Sequence, residues 1–195
     1  MLLSELAMAS GMRYEGEDRD IVSIEYDSRK VKPGSMFCCI VGALFDGHTF
    51  AEGAVQNGAA ALLVERELPI GVPQIVVKNA RKAMAEMAAA FYGYPQREMM
   101  MLGVTGTNGK TTSNFLVETL LEEADLRPGL IGTVLYRGPG VNRSAPFTTP
   151  TALLLHRTLA EMAEHGAKAV TMEVSSHALA LGRLYGVRFR VAAFT

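Results

Sequence analysis

Apolar residues along this chain recur in two alternating rhythms. Residues 2–9, "LLSELAMA", repeat at the three-to-four spacing of a helix face, whereas "IVSIEY" (21–26) and "MFCCIVG" (36–42) are short apolar runs divided by the turn residues "KPG". A helix is expected after "DGH" through "TFAEGAVQNG", stopping at Gly58, and "AALLVE" and "QIVVK" read as buried strands. Asn79 is placed to cap the next helix, "ARKAMAEMAAAFYG", in which Met84 and Met87 fall on the apolar face with Ala83, Ala88 and Phe91.

"GYPQR" (93–97) interrupts the alternation, and a second series follows. The pattern predicts a strand over 98–104, a helix over 110–124 and strands around "GLIGTVLY". A Gly/Pro-rich loop, "RGPGVNRSAPFTTP", comes next, then a helix over 151–165 ended by Gly166, a strand in "AKAVTMEV" and a last strand in "VRFRVAAFT". The expected fold class is α/β: a small N-terminal domain over 1–95, then an incomplete domain of phosphate-loop type with a parallel sheet over 96–195. The second series has too few elements to cover both faces of such a sheet, so the chain is expected to be cut.

Composition narrows the functional classes. Lys plus Arg (19) nearly balance Asp plus Glu (20), and no basic stripe stands out, so nucleic acid is not an expected partner. The start lacks a basic segment ahead of an apolar one, and no apolar run approaches the ~18 residues that span a bilayer. A cytoplasmic protein without a membrane partner is expected. Cys38 and Cys39, the only cysteines, are adjacent in a strand-like run; neighbouring strand residues point to opposite faces, so they read as reduced core thiols.

The chemistry concentrates in "TGTNGKTT" (105–112), between a predicted strand and a predicted helix. A glycine-rich turn there exposes backbone N–H groups and the positive end of a helix dipole, which together hold phosphate oxygens. Gly106, Thr107, Asn108, Gly109, Lys110, Thr111 and Thr112 are the candidate nucleotide-binding residues. Lys110 would reach the outer phosphates, and the Thr111 hydroxyl would take one position on Mg²⁺. The motif is the short form G-x-x-G-K-T, because Val104 stands where the longer pattern wants glycine. An ordinary turn with a surface lysine is the plain alternative. Glu173, at the end of the "AVTMEV" strand, is the candidate second metal ligand; by itself it could equally be a structural carboxylate.

Three stretches go further: "GVTGTNGKTT", "FTTPTALLLHRTLAEM" and "MEVSSHALALGRLYGVRF". With "YDSRKVKPGSMF" and "DGH" upstream, they closely resemble the Mur ligase family in its MurE-type branch, over nearly the whole chain. The resemblance implies an ATP-dependent, Mg²⁺-assisted amide ligase of peptidoglycan synthesis. It would add a diamino acid, meso-diaminopimelate or L-lysine, to UDP-MurNAc-L-Ala-D-Glu through an acyl phosphate, with Lys110 and Glu173 as catalytic residues. It also assigns substrate contacts. Ser28, with the weaker candidates Ala43, Leu44 and Phe45, would hold the uridine end, while Thr148, Thr149, Ser175 and Arg183 would hold the muramyl-dipeptide and its phosphates or carboxylates. For Ser28 alone, a turn residue bonded to its own backbone is the reading the residues favour.

Leu181 stands where some members carry a substrate-contacting glutamine, and His177 is either a ligand contact or a packing residue. No chemistry is assigned to His48, His156 or His165. The resemblance also implies that a histidine motif, a carbamylated lysine and a third domain follow "AAFT", so residues 1–195 would not complete the reaction alone. A noncatalytic nucleotide-binding module, and a ligase of folylpolyglutamate or cyanophycin type, are the competing readings.

Overall fold

The computed structural model describes residues 1–195, which form two compact units, Met1–Phe91 and Tyr92–Thr195.

The first unit has a four-stranded, all-parallel sheet in the order β1 (Ser23–Glu25), β2 (Ser35–Cys38), β3 (Ala59–Val64), β4 (Gln74–Val76). Helix α1 (Leu3–Ala9) packs on α3 (Ala80–Phe91), α3 packs on β2 and β3, and α2 (Ala51–Gln56) packs on β3. Parallel strands require covered faces, and β2 is buried at every position. Phe37, Cys39, Leu62 and Val64 join Ala51 and Ala54 of α2 in one apolar cluster. Both cysteines are free and buried, and burial pushes the Cys39 thiol up to about 12, so they are packing groups. Asn79 Oδ1 accepts from Lys82 N at 2.8 Å as the α3 cap, and Met84 and Met87 are core. The helix foreseen after "DGH" begins as a 3-10 turn, Gly47–Phe50, before α2. Gly58 ends it at φ +99°, in the left-handed region that favours glycine.

The second unit has a six-stranded sheet in the order β10 (Val191–Phe194), β5 (Met100–Thr105), β9 (Ala169–Glu173), β6 (Gly129–Ile131), β7 (Leu135–Gly138), β8 (Val141–Ser144). Its first four strands run parallel, whereas β7 and β8 form an antiparallel hairpin at one edge. The sheet is therefore mixed rather than parallel throughout. "VNRS", expected as loop, is the β8 half of this hairpin: a two-residue Pro139–Gly140 turn joins the strands, and Val141 is buried.

Helix α5 (Ala152–Glu164) covers one sheet face with Leu155, Leu159 and Met162 against Met101, Ile131, Val170 and Met172. Helix α4 (Lys110–Glu123) packs on β5, β9 and β6, but not through a simple apolar stripe. It buries Asn114 and Glu118 and exposes Leu116 and Leu120. Polar partners explain the burial: Thr171 Oγ1 donates to Asn114 Oδ1 at 2.6 Å, Asn114 Nδ2 donates to the Ile131 carbonyl at 3.1 Å, and Arg137 Nε donates to Glu118 Oε1 at 2.7 Å. A short helix α6 (Ser176–Ala180), not foreseen from the sequence, follows β9.

Candidate functional site: a phosphate loop, a buried carboxylate and a polar cleft

Strands β5, β9 and β6 are parallel neighbours, so their carboxyl ends open on one edge of the second sheet, where open α/β sheets bind ligands. Beyond β5 lies the loop 106–109. Gly106 has φ +135° and Gly109, the N-cap of α4, has φ +79°; both values belong to glycine. Thr107, Asn108, Gly109 and Thr112 are exposed, and Thr111 is half-buried in the first turn of α4. Lys110 Nζ donates to the carbonyls of Gly106 at 2.7 Å and Thr107 at 3.3 Å, so its ammonium is folded over its own loop.

Glu173 ends β9 opposite Val104 of β5 and is 1% exposed. Its Oε1 accepts from Thr133 N at 2.9 Å, and Oε2 lies 3.0 Å from Thr133 Oγ1. Gly132 leaves room for it, since an added Cβ there would sit 2.5 Å from Oε1. Each carboxylate oxygen thus keeps a lone pair. A carboxylate with free lone pairs suits Mg²⁺, which takes oxygen ligands and draws the remainder from phosphates and water. No group of three or more His, Cys, Asp or Glu is arranged to hold a metal.

A cleft of about 410 Å³ is lined by Thr133, Phe147, Thr148, Ser175, His177 and Arg183, among others. Its walls are tied at several points. The Tyr136 hydroxyl, pushed up to about 12 by burial, donates to the Phe147 carbonyl at 2.6 Å. Arg183 Nη1 donates to the Thr149 carbonyl at 2.7 Å, and its guanidinium lies 5.2 Å from the Phe147 ring centroid. Thr149, 1% exposed, donates its hydroxyl to the Glu173 carbonyl at 2.8 Å and accepts from Ser175 N at 3.0 Å. Its side chain therefore holds two backbone segments together. Ser175 Oγ caps α6 by accepting from Ala178 N at 3.1 Å. Leu181 is the C-cap of the same helix.

In the first unit, β1 and β2 are parallel, so the segments that follow them leave the sheet at the same edge. Ser28 opens a 3-10 turn after β1, capped by Asp27, and its carbonyl accepts from Asn57 Nδ2 at 3.1 Å. Ala43, Leu44 and Phe45 form an exposed loop after β2, closed by Gly42 N donating to the Phe45 carbonyl at 2.9 Å. Behind it, Asp46 takes Arg66 Nη2 at 2.7 Å and sits 2.6 Å from His48 Nδ1, while His48 Nε2 accepts from Glu65 N at 2.9 Å. The His48 backbone N–H, Arg66 and the His48 ring hold the Asp46 carboxyl well below its usual range. His48 thus braces this loop.

Sequence reasoning missed Thr133, Asn114, Tyr136 and the Asp46–His48–Arg66 group. Thr133 carried one signal, a Gly-Thr pair directly after the buried run "GLI", inside the stretch "GLIGTVLY" around which strands are expected.

A phosphate loop opening a helix, with a buried carboxylate on the adjacent parallel strand, defines a phosphate-loop α/β domain. The Mur ligase middle domain model matches residues 104–195, and the model of the Mur ligase family catalytic domain matches residues 20–92. The chain belongs to the Mur ligase family.

Among its relatives, the UDP-N-acetylmuramoyl-L-alanyl-D-glutamate–2,6-diaminopimelate ligase of Geobacillus thermodenitrificans is 48% identical over 182 residues, covering 93% of this chain and 37% of the relative. The ligase of the same name from Listeria monocytogenes is 44% identical and is matched along 100% of this chain and 40% of its own length. A solved structure of a ligase of that name superposes with a TM-score of 0.82 at 29% identity, covering 100% of this chain and 40% of that one. The MurF ligase of Thermotoga maritima, solved in complex with ADP, shares the fold, with a TM-score of 0.55, 24% identity and 81% and 32% of the two chains covered. The chain thus spans about two fifths of the length of the relatives it matches.

Proposed function

We propose that this chain is the uridine-binding and nucleotide-binding part of an ATP-dependent ligase that joins 2,6-diaminopimelate to UDP-MurNAc-L-Ala-D-Glu in the cytoplasm. The observation that carries the reading is the common edge of β5, β9 and β6, where the phosphate loop, Glu173 and the cleft of Thr148 and Arg183 come together. The relatives' names supply the substrate pair, and the MurF complex with ADP supports the choice of nucleotide. No helix is long and apolar enough to cross a membrane.

In this reading the loop amides from Gly106 to Lys110 hold the phosphates, and Lys110 swings from its own carbonyls to the transferred phosphoryl group. Thr111 and Glu173 would hold Mg²⁺, which when bound neutralises charge on the phosphates. Arg183 presents a planar fork for a substrate carboxylate or phosphate, beside Thr148 and Ser175. Positioned in line, the D-glutamate side-chain carboxylate attacks the γ-phosphorus, ADP departs, and the diamino acid's amine displaces phosphate from the acyl phosphate. Residues 1–95 would hold the uridine end through Ser28 and the loop of Ala43, Leu44 and Phe45.

The test is phosphate release from ATP by the full-length protein as encoded. Release should require both UDP-MurNAc-L-Ala-D-Glu and diaminopimelate. Equal release without the sugar nucleotide would overturn the proposal, and a preference for L-lysine would correct its substrate.

A further inference from the structure

The only hydrogen bonds to the Glu173 carboxylate oxygens come from one residue, Thr133, two positions beyond β6. Its N–H meets Oε1 at 2.9 Å and its hydroxyl meets Oε2 at 3.0 Å, with Thr148 Oγ1 3.1 Å from the same hydroxyl. That hydroxyl has a single proton and two oxygen neighbours. An ionised carboxylate can only accept, and a hydrogen bond to a charged oxygen is the stronger of the two, so the Thr133 proton favours Glu173. Thr133 Oγ1 also points its donor side at Thr148 Oγ1, 3.1 Å away, so its one proton lies between the carboxylate and the threonine, with the carboxylate the stronger acceptor.

We propose that Thr133 is a positioning residue that clamps the Glu173 carboxylate for a metal-bound nucleotide and ties it to the ligand-holding Thr148. This rests on the ligase reading. Thr133 holds both oxygens of a carboxylate packed so closely on Gly132 that no Cβ fits between them. The carboxylate plane is therefore set from the β6 side. Groups that orient a metal-binding carboxylate influence metal affinity without touching the ion.

The experiment uses the full-length protein as encoded, with Mn²⁺ as the spectroscopic probe of the ion site in the presence of ADP. Thr133→Val keeps the backbone donor and the shape but removes the hydroxyl; it should weaken Mn²⁺ binding about tenfold, whereas Thr133→Ser should stay within about twofold of the parent. ADP affinity measured without metal should be unchanged in both, which a general loss of structure would not produce. Thr133→Ala serves as the second variant if the valine form does not fold. Mn²⁺ affinity equal to the parent in a folded Thr133→Val or Thr133→Ala protein overturns the proposal. Glu173→Gln separates the two levels: if it also leaves Mn²⁺ binding intact, the metal role of Glu173 falls, and if it alone weakens binding, only the Thr133 clamp falls.

Discussion

Gly106 and the Thr195 carbonyl approach so closely that a Cβ added at Gly106 would run into that oxygen. The contact follows from the parallel pairing of β10 with β5, which sets Phe194 beside Thr105 and brings Thr195 N within 2.9 Å of the Thr105 carbonyl. Thr195 Oγ1 also donates to the Asn108 carbonyl at 2.5 Å, so the phosphate loop is braced from the neighbouring strand.

Gly106→Ala should therefore disturb the loop twice, through the clash and through a φ of +135° that alanine rarely adopts. A cost of about 1–3 kcal/mol in local strain is expected. Nucleotide binding by calorimetry should fall by at least tenfold, and unchanged affinity would show that the loop can rearrange freely.

Lys110→Ala should act differently. The ammonium bonds only to carbonyls of its own half-exposed loop, so unfolding free energy in urea should change by less than about 1 kcal/mol. ATP-dependent phosphate release by the full-length protein should nevertheless be lost. Retained turnover would remove Lys110 from the reaction.

Arg137→Ala should destabilise the second unit by about 3 kcal/mol, because it strands the Glu118 carboxylate, 2% exposed beneath α4, without its partner. Replacing both residues with apolar ones, Glu118→Leu with Arg137→Met, should cost less than the single change. Chemical denaturation of the three variants checks the order.

His156 makes stability depend on pH. It is fully buried on α5, and burial lowers its pKa from 6.5 to about 4, partly offset by the Tyr185 backbone. The unfolded chain takes up a proton below pH 6.5 and the folded chain does not until about pH 4, so stability is lost as pH falls through that window. Between about pH 7 and about pH 5 the group should remove roughly 2 kcal/mol. His156→Leu should flatten that part of the stability curve; an unchanged pH slope would refute the assignment.

The phosphate loop was legible because its information is local: two glycines, a lysine and threonines within one turn specify backbone shape and charge whatever surrounds them. The parallel strands of both units were legible from apolar runs. The β7–β8 hairpin was hidden by Gly138, Pro139 and Gly140, which signal a turn but not that strands flank it. The burial of α4 was obscured for a different reason. Asn114 and Glu118 are inside only because Thr171 and Arg137, distant in sequence, supply partners, so a one-dimensional apolar pattern assigns the wrong face. Thr133 was missed likewise, its significance resting on the carboxylate of a residue forty positions away.

The pairing of β9 with β5 places Glu173 opposite Val104, one position before the chain departs into the phosphate loop. Side chains alternate between faces along a strand, so sliding β9 by a single residue would carry the carboxylate through to the α5 side, away from Thr133 and the loop. A deletion of one residue within β9 is thus expected to harm this site more than any single replacement there, since it moves the acid to the far side of the wall.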